Sequence, residues 1–314
     1  MPIVTPSDYP LISVLIPAFN HARYICSCLD SILADGYQNL EVIVLDDGSL
    51  DETYELAREW FRTNGDSLSR HLLMRQDNQG VTKTLNTLLK TFTGEYIVLL
   101  ASDDLLLNNG IESRLTALKG MPGALAAFAD AICIDDAGNQ LCDSVLINKF
   151  HASLRTLLNY RTRPYELILN WCIPGTVFLA KREVVNKIGY FNEDFLIEDR
   201  DYYLKLIANE ALAFTPCKVA AYRIHGESST GTRERQIRVG LEVMRIEKHN
   251  LDRFSGFKRI ALWLALQGNS ANFRGTNGMG LFIPLVQTAI ARSVALGFKF
   301  TARLVAYIDE KKRA

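Results

Sequence analysis

The sequence predicts an α/β fold organised around a mostly parallel sheet, on three observations. Short, nearly continuous apolar runs recur along the first part of the 314-residue chain. They alternate with segments whose apolar residues repeat at helical spacing. Several of the runs end in polar or acidic residues. Continuous apolar strands are buried on both faces, which requires helices on both sides of the sheet. In such sheets ligands bind beyond the carboxyl ends of the strands.

The elements follow in order. LISVLIP at 11–17 is a β-branched run closed by Pro17, the pattern of a buried strand. Residues 23–34 place Ile25, Leu29, Ile32 and Leu33 on one helical face. EVIVLDDGS at 41–49 is a second strand that stops at Asp46 and Asp47, and 51–61 is helical. A third strand is expected near 72–74, followed by the polar turn QDNQG and a helix over 81–92. EYIVLLASDD at 95–104 is a fourth strand, ending in Asp103 and Asp104. Further strands are expected at 124–134, 175–180 and 213–222. Residues 144–165 read as a loop with a short helix, 182–188 as a helix, and the chain becomes helical from Glu234. No internal repeat is visible.

Composition removes several function classes. Hydrophobic residues make up 48% and charged residues 22%, which excludes disorder and fibrous repeats. Lys and Arg number 35 and balance 35 Asp and Glu, without the basic excess of a dedicated nucleic-acid binder. None of the six cysteines is paired at C-x-x-C spacing, so they are expected to be scattered, reduced thiols, which suits a cytoplasmic protein. The first ten residues lack the basic and apolar regions of a signal peptide. No apolar run of about 18 residues predicts a transmembrane helix.

The candidate chemistry lies at the strand ends. An isolated Asp-Asp pair is commonly a turn former or helix cap. Here three strand ends are polar: Asn20, Asp46–Asp47 and Asp103–Asp104. Adjacent carboxylates need a cation or hydrogen-bond donors to offset their repulsion. Hard oxygen ligands suit Mg²⁺ or Mn²⁺.

Six stretches, in order and covering roughly residues 10–230, carry a resemblance. They are SVLIPAFN (13–20), VIVLDDGSLDET (42–53), QDNQGV (76–81), GEYIVLLASDD (94–104), GYFNEDFLIEDRDYYLKL (189–206) and YRIHGESST (222–230). The sequence resembles family 2 glycosyltransferases of the GT-A fold, such as those of bacterial polysaccharide and O-antigen synthesis. The resemblance implies a mixed, mostly parallel sheet in a catalytic domain over residues 1–232, with a helical extension over 233–314. It implies an inverting transferase that uses a nucleotide-diphosphate sugar, with uridine the expected nucleoside, and a divalent metal, Mn²⁺ or Mg²⁺. The expected acceptor is a glycan or a lipid-linked glycan.

Roles follow by position. Pro17, Ala18 and Asn20 would line the nucleotide pocket, and Asp47 would bind the base with Asp46 supporting the turn. Asp104 would hold the metal and Asp103 would touch the ribose or the donor sugar, with Asp103 a second metal candidate. Lys83 and His225 would face the phosphates. Asp199 would be the catalytic base, preceded by Glu198; Asp201 is the rival, and one of the two is expected to cap the following helix. Tyr24 and Trp171 read as core or rim aromatics. Two positions depart from the family pattern: Ala101 where an Asp often stands, and Leu85 where an Arg often stands.

Other readings remain at this level. A nucleotidyltransferase would share an acidic α/β nucleotide site, but would normally show a Gly-rich phosphate loop, and PAFNHARY has no Gly. A non-catalytic carbohydrate-binding or scaffold paralogue is a third reading. At 287–314, Arg292, Lys299 and Arg303 oppose Ile290, Val294 and Phe298, which predicts a basic amphipathic helix. Such a helix either lies on an anionic membrane, on the cytoplasmic face, or packs on the domain or in a homo-oligomer.

Overall fold

The computed structural model describes residues 9–225 and 233–276, together with Gly297 and Thr301. The amphipathic segment expected at 287–308 lies outside these apart from Gly297 and Thr301, as does most of the GESST stretch after His225. The chain divides into two compact units. One comprises 1–145, 174–191 and 210–224; the other comprises 146–173, 192–209 and 225–314. These units interleave along the chain, whereas the expected boundary at 232 divides the sequence once. The helical unit also takes two earlier stretches of chain, one of which carries Glu198 and Asp199.

Among the described residues, nine strands occur, all in the first unit: β1 (Ile12–Ala18), β2 (Leu40–Asp46), β3 (Arg70–Arg75), β4 (Tyr96–Leu99), β5 (Leu105–Leu106), β6 (Ala126–Ile134), β7 (Gln140–Cys142), β8 (Leu179–Lys181) and β9 (Leu212–Arg223). They form one sheet of order β3-β2-β1-β4-β8-β6-β9-β5, with β7 beside β6. The β3-β2-β1-β4 half is parallel, as the apolar runs predict. The other half is mixed: β8 runs antiparallel to β4 and β6, β5 is antiparallel to β9, and β6 is parallel to β9.

Helices α1 (Ile25–Ala34), α2 (Thr53–Asn64), α3 (Val81–Thr91), α4 (Gly110–Lys119) and α7 (Val184–Lys187) complete this unit. The second unit holds α5 (Leu154–Leu158), α6 (Arg163–Leu169), α8 (Glu198–Ala208), α9 (Arg233–Asn250) and α10 (Gly256–Thr276). The sequence reading leaves 105–123 unassigned, yet α4 lies there. Its first residue, Gly110, packs so tightly that an added Cβ would come within 2.6 Å of the Val219 carbonyl. The expected strand at 175–180 opens instead as a 3₁₀ turn, Gly175–Val177.

Cys133 and Cys142 are direct partners on β6 and β7, with Cα atoms 4.9 Å apart, and are joined by a disulfide. This overturns the expectation of six reduced thiols. Their nine-residue separation carries no motif, and only the hairpin register brings them together. Cys26, Cys28, Cys172 and Cys217 form no disulfide.

The apolar core of the sheet contains a built-in polar knot. Ser13 and Glu41 are register partners on β1 and β2, and both are fully buried. Glu41 accepts from the Ser13 hydroxyl, from Thr93 N at 2.7 Å and Thr93 Oγ1 at 2.8 Å, and pairs with Arg70 at 3.0 Å. Burial favours the neutral acid, but these donors outweigh it and hold the carboxyl below its ordinary value. The stability it contributes is therefore present above the ordinary carboxylate range and lost as pH falls through it. Glu41→Ala should cost about 2–4 kcal/mol at pH 7, the range for emptying a buried charged hydrogen-bond network. Urea denaturation at pH 7 and at acid pH checks this: the difference from wild type should shrink in acid.

Candidate active site

The carboxyl edge of the parallel half is a laced set of loops. Ala18 ends β1 and its carbonyl accepts Asp47 N at 2.8 Å. Pro17, one residue earlier, is partly buried within the strand. Asn20 follows with a positive φ of 53°, an uncommon state that Asn tolerates. That turn lets Asn20 N donate to Ser49 Oγ at 2.9 Å and its Oδ1 accept from Leu50 N at 2.8 Å. The loops after β1 and β2 are thus locked together.

The two acids of the Asp46–Asp47 pair have different partners. Asp47 accepts from Gln79 N at 2.9 Å, Gly80 N at 2.8 Å and Gln76 Nε2 at 2.7 Å. Its carboxylate is occupied by the 76–80 loop, so it organises the pocket wall. Asp46 accepts from Ser49 N at 3.0 Å and lies 3.3 Å from Arg75 Nε, all through Oδ1. Its buried Oδ2 has no hydrogen-bond partner. Ser49 and Arg75 both line a cleft of about 660 Å³, with Gly48, Gln76 and Asn78. Gly48 is required at its place: φ is +75°, and a Cβ would sit 2.8 Å from Asn78 N. Arg75 donates to Ser49 O at 2.8 Å and stacks on Tyr54.

After β4 the two acids again part. Asp104 is 2% exposed and accepts from Arg223 N at 2.7 Å. Burial first, and then the Asp103 charge, push its carboxyl well above the usual range. The expected metal ligand is thus a sequestered acid. Asp103 is partly exposed, and its Oδ1 lies 4.0 Å from His21 Nδ1. His21 Nδ1 also bonds Ser102 Oγ at 2.7 Å. Sequence reasoning passed over His21, although it directly follows Asn20 at a strand end. It passed over Arg75 as well, the last residue of β3. A carboxylate beside an imidazole is a donor set that suits Mn²⁺.

Lys83 is exposed in the first turn of α3, while Leu85, one turn position on, is buried. His225 stands two residues past the end of β9 and is partly buried. Tyr24 is buried and donates from its hydroxyl to Asp136 at 2.6 Å, in keeping with a core aromatic.

In the second unit, α8 begins at Glu198, and its N-cap Ile197 makes no side-chain cap bond. Neither Asp199 nor Asp201 caps the helix as expected; both lie inside its first turn, where the helix dipole favours negative charge. Asp201 is fully buried, pairs with Lys205 at 2.7 Å and accepts from Asn250 at 2.8 Å. Those contacts mark it as a packing residue. Asp199 retains some exposure, but its Oδ1 is buried without a partner. Desolvation raises its pKa to about 6. Desolvation and the Asp199 charge raise Glu198 to about 8. Arg200 fixes this turn from within: it donates to Leu167 O at 2.8 Å, Ile168 O at 2.9 Å and Glu247 at 2.8 Å, and stacks on Trp171.

Comparison with known proteins decides the family. The model described as glycosyl transferase family 2 matches residues 13–189, more than half of the chain. The chain belongs to glycosyl transferase family 2. An uncharacterized glycosyltransferase of Rickettsia felis is 30% identical over 230 residues, covering 70% of this chain and 35% of that protein. The chain thus spans about a third of that relative. Glycosyltransferase GlyG of Streptococcus pneumoniae is 35% identical over 186 residues, 58% of this chain and 60% of its own.

Solved structures share the fold. The mannosyltransferase PcManGT of Pyrobaculum calidifontis, in complex with GDP-Man and Mn²⁺, superposes with a TM-score of 0.61 at 20% identity, covering 96% of this chain and 87% of that one. S. aureus TarS 1–349 with UDP-GlcNAc gives 0.62 at 18%, covering 91% and 81%. The mixed sheet with its helical C-terminal region is therefore the GT-A architecture of this family. Among the described residues, no helix is long and apolar enough to cross a membrane.

Proposed function

We propose that this family 2 glycosyltransferase moves a sugar, with inversion, from a nucleotide-diphosphate donor to a hydroxyl of a glycan or lipid-linked glycan. The observation that carries the reading is Asp199: a carboxylate with a buried, unpartnered oxygen and a pKa near 6. Such a group is suited to take a proton from an acceptor hydroxyl near neutral pH. A base facing away from the leaving group produces one displacement and hence inversion. No second carboxylate nucleophile is needed, in contrast to a retaining glycosidase. Glu198, held largely protonated by burial and then by the charge of its neighbour, keeps the pair from carrying two charges.

A divalent ion, when bound, supplies charge neutralisation for the departing diphosphate. Asp103 and His21 are the residues proposed to hold it, with His225 and Lys83 toward the phosphates. Mn²⁺ fits this mixed carboxylate and imidazole pair. The nucleotide is assigned to the cleft at Ser49 and Arg75, next to Pro17, Ala18 and Asn20, with the buried Asp46 holding Ser49 and Arg75 in place at its wall. The ligands named for PcManGT and TarS, GDP-Man and UDP-GlcNAc, support a nucleotide-sugar donor.

The two acids of the β2 end are then separable. Asp46→Asn should weaken binding of the free nucleoside diphosphate by about 1.5–3 kcal/mol, the scale of a charged hydrogen bond. Asp47→Ala should lower stability as well, because the Gln79 and Gly80 amides lose their acceptor. Calorimetric titration with UDP and GDP, read beside thermal unfolding, distinguishes them. Equal nucleotide affinity in Asp46→Asn would remove it from the support of the nucleotide site.

A further inference from the structure

We infer that Arg223 is a positioning residue that sets the direction of the Asp103 carboxylate, an inference that rests on the proposed role of Asp103. Arg223 closes β9 and is 5% exposed. Its guanidinium reaches two separate segments of chain. Nε donates to the Asp103 carbonyl at 2.7 Å. Nη1 donates to the Asp135 carbonyl at 2.8 Å and the Asp136 carbonyl at 3.2 Å. Its backbone N–H holds Asp104. The guanidinium carbon lies 4.8 Å from the Tyr24 ring centre, and Tyr24 in turn bonds the Asp136 side chain.

These contacts fix the Asp103–Asp104 step from both sides. One bond orients the peptide that follows Asp103, and another immobilises the Asp104 side chain. With the peptide after Asp103 and the Asp104 side chain restrained, the Asp103 carboxylate keeps its place beside His21. The anchor for all of this is the turn at 135–136 and the Tyr24 ring at the start of α1. A planar fork with donors in fixed directions is needed to reach two segments while lying flat on a ring. The single ammonium of lysine supplies charge but not that geometry.

The bond from the Arg223 guanidinium to Asp103 is made at the backbone carbonyl, so this effect passes through the backbone. This accounts for a buried arginine two residues before His225. It also explains how a strand end that lacks the usual first acid, with Ala101 in its place, can hold Asp103 in one orientation.

The experiment is a double-mutant cycle between Arg223→Lys and Asp103→Ala. Two readouts are taken: calorimetric Mn²⁺ affinity in the presence of saturating UDP, and turnover of a nucleotide sugar. Arg223→Lys should stay folded by circular dichroism and lose about tenfold or more in both, as for other residues that orient a ligand. In the Asp103→Ala background it should change neither by more than about twofold, because the group it positions is gone. Unchanged Mn²⁺ affinity and turnover in Arg223→Lys, or the same loss repeated on top of Asp103→Ala, would overturn the inference. Wild-type Mn²⁺ affinity in Asp103→Ala alone would instead remove the metal role, and the turnover cycle would still decide Arg223. Should Arg223→Lys fail to fold, Asp136→Ala, which releases Tyr24 from the same anchor, takes its place with a smaller loss in the same direction.

Discussion

Asp199→Asn is expected to cut turnover by about 10²-fold or more, the usual cost of losing a general base. Donor affinity should stay nearly unchanged, because the proposed role is toward the acceptor. The pH dependence has a definite sign. Asp199 must be ionised to act, and burial raises its pKa to about 6, so the rate should climb through that pH and level off above it. Stability runs the other way. A carboxyl whose folded pKa is raised favours the folded state below its unfolded pKa, and that contribution is lost as pH rises through about 6. Asp199→Asn, which cannot ionise, should therefore unfold at the same or a higher temperature than wild type at pH 8. Asp201→Asn should do the reverse, keeping most of its turnover while losing stability through its Lys205 and Asn250 contacts. Should Asp201→Asn prove inactive and Asp199→Asn active, the base would be the wrong one of the two.

Asp103→Ala is expected to remove the Mn²⁺ enhancement of nucleotide binding while leaving the fold intact. Charge neutralisation at a leaving diphosphate is worth several kcal/mol. Turnover should fall by about 10²- to 10³-fold. Asp104→Ala should instead lower the unfolding temperature, since it leaves the buried Arg223 N–H without its acceptor. Measuring Mn²⁺ titration and thermal unfolding on both variants separates the exposed acid from the sequestered one. Full activity of Asp103→Ala in the presence of a chelator would exclude a metal held there.

Strands β1, β2 and β4 of the parallel half were legible because they bury both faces and so read as unbroken apolar runs. The acids at the strand ends were legible as a group for the same reason: each run stops where the sheet stops. Their individual roles were not. Which member of Asp103–Asp104 is sequestered depends on Arg223, 119 residues later in the chain. Which member of Asp46–Asp47 keeps a spare oxygen depends on the amides of Gln79 and Gly80. Hydrophobic periodicity reports on faces of elements and carries nothing about such loop contacts. The unit boundary was hidden likewise. Residues 192–209 look like a continuation of the α/β pattern, but they pack with α9, through Arg200 on Glu247 and Asp201 on Asn250. The disulfide needed the β6–β7 register, and His21 was concealed because one histidine after a strand has many uses.

The central claim is that these acids serve transfer from a nucleotide sugar, and donor turnover tests it most directly. Wild type, Asp103→Ala and Asp199→Asn would each be incubated with a panel of UDP- and GDP-sugars in Mn²⁺, and released nucleoside diphosphate measured. At least one donor should be consumed by wild type, with release reduced about 10²-fold or more in both variants. Release in the variants equal to wild type, or no consumption of any donor even with glycan acceptors supplied, would contradict the account.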